Sequence, residues 1–189
     1  MSISKELLEE FSSYSPVFIE TGTLNGENVK RAMSAGFNKA YSIELSEIMF
    51  KMARRNLQNV QNVTLINGDS GAELVKLLKN INKKCVFWLD AHYSGGDTAG
   101  HRQVPPLLKE LNAIAQHHIK NHLILIDDVR IFKNAPNDLD VTKYARYRQS
   151  DSLSWANIMS GLYKINPEYK LRLETGFAEN DILIATPGE

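Results

Sequence analysis

The sequence predicts a doubly wound α/β fold, in which a mostly parallel sheet is covered by helices on both faces. Between residues 17 and 126, short apolar runs of the kind that form buried strands alternate with stretches of helical periodicity. Two more strand-like segments follow near the end of the chain, and the connection between them is tight and contains Gly176. Parallel strands need a helical crossover whereas antiparallel strands can share a tight turn, so we expect a seven-stranded sheet that ends in an antiparallel hairpin.

The individual elements follow in order from two periodicities. Strands are expected at the apolar runs 17–19, 39–45, 63–66, 85–89, 123–126, 171–175 and 181–185. Helices are expected where apolar residues recur every three or four positions, at 3–11, 26–36, 48–57, 74–81, 105–115 and 153–164. Pro105 and Pro106 suit the first turn of the fifth helix, because a proline lacks the N–H that this position does not need.

Length and charge limit the class of protein. The chain has 189 residues, with 22 Lys and Arg against 22 Asp and Glu, so its formal net charge is zero. This length suits a single domain over 1–189, with 1–16 as a helical extension and with 93–104 and 132–150 as candidate substrate loops. Proteins that grip nucleic acid carry a basic face, so the neutral balance argues against a nucleic-acid partner.

Thiol chemistry and location follow from the same composition. The chain has one cysteine, Cys85, which rules out an internal disulfide framework and a thiolate zinc site. Its apolar surroundings predict an inert buried thiol. Residues 1–16 lack the apolar core of a signal peptide, and no apolar run approaches the roughly 20 residues that span a bilayer. We therefore expect a cytoplasmic protein without a membrane partner.

Acidic and glycine residues stand where the first three strands end. The turn at 20–26 has Glu20 in place of the first glycine of the dinucleotide fingerprint, and this carboxylate would repel a pyrophosphate. The turn therefore suits a ligand with a cationic part, and it disfavours a nicotinamide-dependent oxidoreductase. Glu44 follows the second strand, and Asp69 and Ser70 follow the third. Taken singly, each of these is also explained as an ordinary turn or a helix cap.

A second acidic group is expected beyond the fourth and fifth strands. Asp90 and His92 follow the fourth strand, and Asp127 and Asp128 follow the fifth. Neighbouring strands lie about 4.8 Å apart, so the three carboxylates should converge on one small volume. They would repel one another unless a cation lies between them, and an all-oxygen set suits Mg²⁺, Mn²⁺ or Ca²⁺. In the alternative, Asp127 and Asp128 cap or turn the chain and Asp90 contacts only a cofactor.

Together these residues resemble the class I S-adenosylmethionine (SAM)-dependent methyltransferases, from Val17 to Pro187. The resemblance implies a Rossmann-like fold whose glycine turn takes the methionine part of SAM. It implies that Glu44 holds the ribose hydroxyls and that Asp69 lies beside the adenine amine. The implied cofactor-binding residues are Glu20, Thr21, Gly22, Thr23, Gly26, Glu44, Asp69, Ser70 and Asp90. An acidic pocket suits this cofactor, because SAM carries a sulfonium and an ammonium.

The aspartates after the fourth and fifth strands are similar to those of metal-dependent O-methyltransferases, above all the macrocin and novobiocin type that methylates antibiotic sugars. This likeness implies that Asp90, Asp127 and Asp128 bind a divalent metal, with Mg²⁺ expected. That group tends to carry a second Asp as a base two residues after the first, and His92 stands at that place here. His92 and Asp90 are therefore the expected catalytic residues, with His92 alternatively a metal ligand or a hydrogen-bonded loop residue.

These features predict methyl transfer from SAM to a hydroxyl of a small molecule, with a sugar or another vicinal diol as the acceptor class. Two alternatives stay open: a metal-independent methyltransferase that acts on another nucleophile, and a non-catalytic cofactor-binding protein of the same fold. Residues 132–150 either cover the substrate or form a surface for a second copy of the chain.

Several single residues carry their own expectations. Arg130 is expected to pair with the carboxylates or to hold an anionic substrate, and Trp88 is expected to lie in the core. Four histidines lie near predicted helix ends and loops and are expected to face solvent: His101, His117, His118 and His122.

Overall fold

The computed structural model describes residues 3–90, 106–132, 134–135 and 153–188, which form a sheet between two layers of helices. The strands are β1 (Val17–Thr21), β2 (Lys39–Glu44), β3 (Val63–Asn67), β4 (Val86–Leu89), β5 (Leu123–Ile126), β6 (Lys170–Glu174) and β7 (Ile182–Thr186). The helices are α1 (Lys5–Ser12), α2 (Glu27–Ser34), α3 (Glu47–Asn56), α4 (Ser70–Leu78), α5 (Leu107–Gln116) and α6 (Trp155–Ile165), and a short 3-10 turn spans Val129–Ile131. None of the helices in these ranges is long and apolar enough to cross a membrane.

Side-chain caps fix the start of four helices. The cap of α1, α3, α4 and α6 is a residue whose side chain accepts a hydrogen bond from the backbone N–H three positions ahead: Ser4, Ser46, Asp69 and Ser154. Because Ser154 is the cap, α6 begins at Trp155 and not at the predicted residue 153. The cap at Asp69 shows that this carboxylate has a structural role at the start of α4.

The strand order of the sheet is β3-β2-β1-β4-β5-β7-β6. β7 is antiparallel to both of its neighbours, whereas the other pairs are parallel. This arrangement is the mostly parallel sheet with a carboxy-terminal antiparallel hairpin that the sequence predicts. The order reverses between β1 and β4, because the chain first winds outward to β3 and then continues on the other side of β1. Open α/β sheets bind ligands beyond the strand ends at such a reversal.

Alternate strand residues face opposite layers of helices. Ile19 and Phe87 lie in the apolar layer that contains α4, α5 and α6, whereas Phe18 and Trp88 lie in the layer that contains α1, α2 and α3. All four side chains are fully buried, so Trp88 is a core residue as predicted. The same alternation directs successive residues at the end of β1 to opposite sides of the sheet.

β1 extends further than the apolar run that predicts it. Glu20 and Thr21 belong to the strand and are fully buried, although the sequence places them in the turn that follows. Strand propensity disfavours a glutamate, but parallel pairing on both sides, with Ser42 of β2 and Trp88 of β4, keeps Glu20 in the sheet. The turn itself begins at Gly22.

The expectation that the histidines face solvent is wrong for His117 and His122. His117 is 5% exposed and His122 is 0% exposed, whereas His118 is exposed as predicted. Both rings lie between the end of α5 and the start of β5, where they pack together instead of facing water. His101 lies outside the described residues.

A chain of hydrogen bonds makes this burial possible. The backbone N–H of Cys85 donates to Nδ1 of His122 at 3.0 Å, so neutral His122 carries its proton on Nε2. That Nε2 lies 2.8 Å from Nδ1 of His117, whose Nε2 donates to the carbonyl of Ile81 at 2.9 Å. Each ring nitrogen therefore has a partner only while both rings are neutral. Burial lowers the pKa of His122 to about 3 and also lowers the pKa of His117.

Replacing His122 by Asn should remove an acid-sensitive part of the stability. Because the folded-state pKa of His122 lies below its unfolded value, its contribution is present above about pH 6.5 and is lost as the pH falls toward 3. Between about pH 7.5 and 5, the stability advantage of the wild type over His122→Asn should shrink by roughly 2 kcal/mol. Urea unfolding of both proteins at the two pH values measures this change. The exposed neighbour gives the control, since His118→Asn should show no such shift.

Candidate functional site

The reversal of strand order brings the ends of β1 and β4 together at one edge of the sheet. Thr21 and Leu89 are the last residues of these strands and are paired in register. The backbone N–H of Asp90 donates to the carbonyl of Thr21 at 3.2 Å, which fixes Asp90 directly beyond β4. The predicted cofactor and metal residues that the structure describes lie at or directly after the strand ends that meet at this edge.

The glycine turn after β1 is held by the neighbouring strand. Gly22 has a φ of 84°, and its N–H donates to the carbonyl of Ile43 in β2 at 2.9 Å. Gly26 has a φ of 87°, and a Cβ at this position would lie 2.8 Å from Cδ1 of Leu57. The turn therefore needs glycine at Gly22 and Gly26 for its backbone and at Gly26 also for close packing.

Glu44 at the end of β2 organises this turn through its carboxylate. Its Oε2 accepts from the backbone N–H of Leu24 at 2.9 Å, and its Oε1 accepts from the N–H of Ser46 at 2.7 Å. Glu44 is 7% exposed. Burial raises its pKa, although the two hydrogen bonds act in the opposite direction and lower it. Each carboxylate oxygen keeps a further lone pair, so Glu44 can accept from the hydroxyls of a ligand as well.

Asp69 and Ser70 begin α4 on the far side of the same edge. Asp69 accepts from the N–H of Ala72 at 3.0 Å, which is the helix-cap alternative raised by the sequence. The hydroxyl of Ser70 donates to Oε1 of Glu110 in α5 at 2.5 Å. Ser70 is therefore turned toward the protein interior and holds α4 against α5.

Glu20 is buried within the sheet and does not face the solvent edge. The hydroxyl of Ser42 donates to its Oε2 at 2.6 Å, and because that hydrogen is used, the hydroxyl of Thr23 must donate to Ser42, 2.5 Å away. Burial raises the pKa of Glu20 to about 8, and the nearby charges of Asp90 and Glu44 add to the rise. Thr23 is 3% exposed, so this relay is enclosed.

Glu110 is a buried acid that the sequence reasoning missed. It is 1% exposed, and burial raises its pKa to about 7, with contributions from the charges of Asp69 and Asp90. The helical period gave a signal, since Glu110 lies three residues after Leu107 and four before Ile114, on the inward face of α5. Glu110 and Glu20 thus approach Asp90 from opposite sides of the sheet.

Three aspartates beyond β5 and before β7 form what we call the acidic cluster: Asp127, Asp128 and Asp181. One oxygen of each lies within 4.8 Å of the others, so the three could hold a metal ion. All three are buried, at 5%, 2% and 0% exposure. Burial raises the pKa of Asp127, and the charges of Asp90 and Asp128 raise it further.

The acidic cluster overlaps with the predicted metal ligands in Asp127 and Asp128. Asp181 was not predicted, although the start of an antiparallel strand must lie at the same edge as the ends of its parallel neighbours. Asp90 lies outside this group of three, but its charge acts on Asp127 from the end of the adjacent strand. The assignment of Asp90 as a third ligand stays a prediction.

Arg130 pairs with the carboxylates, as one of its two predicted roles requires. Its Nη1 lies 2.5 Å from Oδ1 of Asp128 and also contacts Oδ2 of Asp181. Its backbone N–H donates to Oδ1 of Asp181 at 3.1 Å. Burial would lower the pKa of Arg130, but the carboxylates of Asp128, Asp181 and Asp127 outweigh this effect and raise it. The guanidinium is therefore a fixed positive charge beside the cluster.

The backbone at Asp128 is held in a conformation that few residues adopt. Its φ of 62° and ψ of 40° are left-handed, which Asp tolerates better than most residues. The carbonyl of Asp181 accepts from the N–H of Val129 at 2.9 Å, and the carbonyl of Asp128 accepts from the N–H of Ile131 at 3.0 Å. β7 thus sets the direction in which the chain leaves β5.

The remaining predicted site features lie outside the described residues. These are His92, the candidate loop 93–104, and most of the candidate loop 132–150. Phe132 is described and is 4% exposed, as part of the apolar core.

No protein-family model matches the chain, and no curated protein matches it. Solved structures do resemble it. The SAH-bound methyltransferase PaMTH1 from Podospora anserina gives a TM-score of 0.63 at 13% identity, over 100% of this chain and 80% of that chain. An O-methyltransferase from Bacillus cereus in complex with SAH gives 0.60 at 13% identity, over 99% and 83%. The O-methyltransferase TomG from Streptomyces achromogenes, in complex with SAM, gives 0.57 at 13% identity, over 99% and 82%.

These likenesses show the fold. The chain has the seven-stranded architecture of the class I SAM-dependent methyltransferases, with the reversal between β1 and β4 and the antiparallel β7. The resemblance drawn from the sequence is therefore confirmed as a likeness of fold, over the whole chain.

Replacing Glu20 by Gln should stabilise the protein at alkaline pH. The folded-state pKa of Glu20 lies above its unfolded value, so its contribution to stability is present at low pH and is lost as the pH rises through about 8. Gln keeps an acceptor for Ser42 but does not ionise. Between about pH 5 and 8, Glu20→Gln should gain roughly 3 kcal/mol in free energy of unfolding relative to the wild type.

Chemical denaturation across this pH range measures the difference. Glu27→Gln is the matched control, because Glu27 is a half-exposed glutamate at the start of the adjacent α2. If the difference in free energy of unfolding between the wild type and Glu20→Gln does not change with pH, Glu20 does not titrate in this way.

Proposed function

We propose that this protein transfers a methyl group from SAM to a hydroxyl of a small molecule. The observation that carries the proposal is the set of carboxylates at the strand reversal, where a turn that requires glycine leads from β1 toward Glu44. A cationic ligand suits this edge, whereas a dinucleotide pyrophosphate would be repelled by the carboxylate of Glu44. The likeness in fold to SAM- and SAH-bound methyltransferases supports the same assignment.

The residues present fit the cofactor. Backbone N–H groups already orient the Glu44 carboxylate, so it can accept ribose hydroxyls without rearrangement. The carboxylate of Asp69 has lone pairs that its helix-cap bond does not use, and these can accept a hydrogen bond from the adenine amine. Gly22, Gly26 and Asp90 are the further proposed contacts. The other predicted cofactor residues are buried behind this edge, so their proposed role is to hold the turn and the start of α4 in place: Glu20, Thr21, Thr23 and Ser70. When bound, SAM supplies an electrophilic methyl group on a positively charged sulfur.

The proposed acceptor side is the edge beyond β4 and β5. The donor set there is made of buried carboxylate oxygens, which suits a hard divalent cation such as Mg²⁺. We propose Asp90, Asp127 and Asp128 as its ligands. Such an ion, held by these three residues, would lower the pKa of an acceptor hydroxyl and would favour acceptors with two adjacent oxygens, such as sugars and other vicinal diols.

The chain's own residues would then position the acceptor and take its proton. Asp90 is fixed by the bond between its N–H and Thr21, between the proposed cofactor and acceptor sides. His92, two residues further on, is the proposed base, since an imidazole accepts a proton near neutral pH. The neighbouring Asp127 and Asp128 are buried, so their charges act strongly in a medium of low dielectric constant.

A metal-independent methyltransferase is the second candidate, and Arg130 is the observation that favours it. This guanidinium already contacts Asp128 and Asp181, so a positive charge stands at the acidic cluster without any metal ion. The two candidates share the cofactor and differ in whether a divalent cation binds.

Replacing Glu44 by Ala should weaken the binding of S-adenosylhomocysteine or SAM by roughly tenfold or more, because the carboxylate that orders the turn is lost with its charge-assisted hydrogen bonds. Isothermal titration calorimetry measures the affinity. Glu47→Ala is the matched control, since Glu47 lies three residues away, is largely exposed and pairs only with Lys51 among its salt bridges in the described chain. A wild-type protein that binds neither ligand would overturn the proposed cofactor.

Replacing Asp127 by Asn should weaken Mn²⁺ binding by roughly tenfold or more, because affinity for a hard cation depends on the number of charged ligands. Electron paramagnetic resonance of free Mn²⁺ gives the bound fraction. Asp69→Asn, on the same edge but outside the acidic cluster, should bind Mn²⁺ as the wild type does. Equal binding by Asp127→Asn would place any metal elsewhere, and methyl transfer that survives chelation would favour the second candidate.

A further inference from the structure

Glu110 is a buried carboxyl group that the proposed function does not use. It lies on α5 beside Leu111, on the face that packs into the apolar layer of α4, α5 and α6. The charges of Asp69 and Asp90 act on it, which places it behind the edge where the cofactor is proposed to bind. Replacing a buried ionisable group by an apolar side chain of similar size is often neutral or stabilising, so packing alone does not account for a glutamate here.

One hydrogen bond joins Glu110 to the start of α4. The hydroxyl of Ser70 donates to Oε1 of Glu110 at 2.5 Å, and both residues are buried. The two helices also approach closely beside this bond, because a Cβ at Gly71 would lie only 2.7 Å from Cβ of Lys109. The first turn of α4 is therefore held directly against α5.

The end of β1 faces the same carboxyl group. Thr21 is fully buried and lies on the same side of the sheet as Ile19, whose side chain packs in the layer of α4, α5 and α6. Burial raises the pKa of Glu110, and the hydroxyls of Ser70 and Thr21 act in the opposite direction. Glu110 thus interacts with two of the elements that form the proposed cofactor edge.

Asp69 is the residue through which this arrangement reaches a ligand. Its side chain and its carbonyl both accept from the N–H of Ala72, at 3.0 and 3.1 Å, and its carbonyl also accepts from the N–H of Glu73 at 2.9 Å. Asp69 is therefore fixed to the first turn of α4, which the bond between Ser70 and Glu110 fixes to α5. Unlike these two residues, Asp69 is only half-buried, so its carboxylate can contact a ligand.

We propose that Glu110 is a positioning residue that sets the selectivity of the site for adenine, by holding Ser70 and with it Asp69. The inference rests on the proposed function, in which Asp69 accepts a hydrogen bond from the adenine amine. A purine that carries a carbonyl at that place presents an acceptor to the carboxylate and is disfavoured. Hydrogen bonds depend on distance and angle, so this discrimination requires a carboxylate that does not shift.

Two ligands that differ only at this group test the inference: S-adenosylhomocysteine and S-inosylhomocysteine, in which a carbonyl replaces the amine. The wild type should bind S-adenosylhomocysteine roughly tenfold or more tightly than the inosine analogue. In the double variant Ser70→Ala/Glu110→Met, which replaces both partners of the buried hydrogen bond by apolar side chains, this preference should fall to roughly threefold or less. Isothermal titration calorimetry measures both affinities, and urea unfolding shows that each variant is folded.

Three single variants separate positioning from a general loss of structure. Glu110→Gln keeps an acceptor for the Ser70 hydroxyl and should keep the wild-type preference. Ser70→Ala removes only the hydroxyl, should lower the preference, and gives the answer if the double variant does not fold. Asn112→Ala is the matched control on α5, since Asn112 is exposed and bonds to Lys164 away from this edge, and it should leave the preference unchanged.

The outcomes distinguish the inference from the proposed function. If the wild type shows the preference and both the double variant and Ser70→Ala keep it, the role of Glu110 is overturned and the proposed cofactor stands. A loss in Glu110→Gln as large as in the double variant would also contradict a role through the bond to Ser70. If the wild type binds the two ligands equally well, Asp69 does not recognise the amine, and the inference alone is overturned. If the wild type binds neither ligand, the proposed cofactor is overturned and the inference falls with it.

Discussion

The burial of carboxylates at one edge of the sheet is the constraint on which the rest of this structure depends. A carboxylate that loses water without gaining a partner costs several kcal/mol, so each buried acid must be protonated, hydrogen-bonded or paired. The chain uses all three solutions. Glu44 is held by two backbone N–H groups, Glu20 keeps a raised pKa beside the Ser42 hydroxyl, and Asp181 is paired with Arg130. These local solutions fix the turns, caps and rotamers around the edge.

The fold explains why the acids meet at all. Each of β1, β2, β4 and β5 runs in the same direction and ends at the same edge, so residues that are far apart in the chain become neighbours. β7 runs the other way, which brings its first residues to that edge too. The two apolar layers then exclude water from the strand ends, and this exclusion both raises the cost of the acids and strengthens their pull on a cation. The stability of the fold and the proposed preference for a cationic ligand therefore have a common origin.

The features that depend on local sequence pattern were predicted correctly, whereas those that depend on pairing across the sheet were not. Strand and helix positions, the antiparallel hairpin and the edge at which Glu44, Asp127 and Asp128 stand all follow from periodicity. The sequence pattern predicts Asp181 only as the first residue of a strand. Its place in the acidic cluster depends on the pairing of β7 with β5, which the pattern does not reveal. His117 and His122 were expected in solvent, since a single histidine near a helix end gives no sign of a hydrogen-bonded partner. The complete burial of Glu20 likewise results from its pairing with β2 and β4, which the sequence pattern does not reveal.

Different groups offset the cost of burying a carboxylate on the two sides of the site, and this difference affects ligand binding. On the proposed cofactor side, Glu44 is held by backbone N–H groups, which leave further lone pairs open and need not move for a ligand. On the proposed acceptor side, Oδ1 of Asp128 is held by the guanidinium of Arg130. A ligand at Glu44 would add to bonds that already orient the carboxylate, whereas a cation at the acidic cluster would lie close to a positive charge that is already present. The edge is therefore preorganised for the hydroxyls of a ligand at Glu44, while the charge of Arg130 opposes the binding of a divalent cation at the acidic cluster.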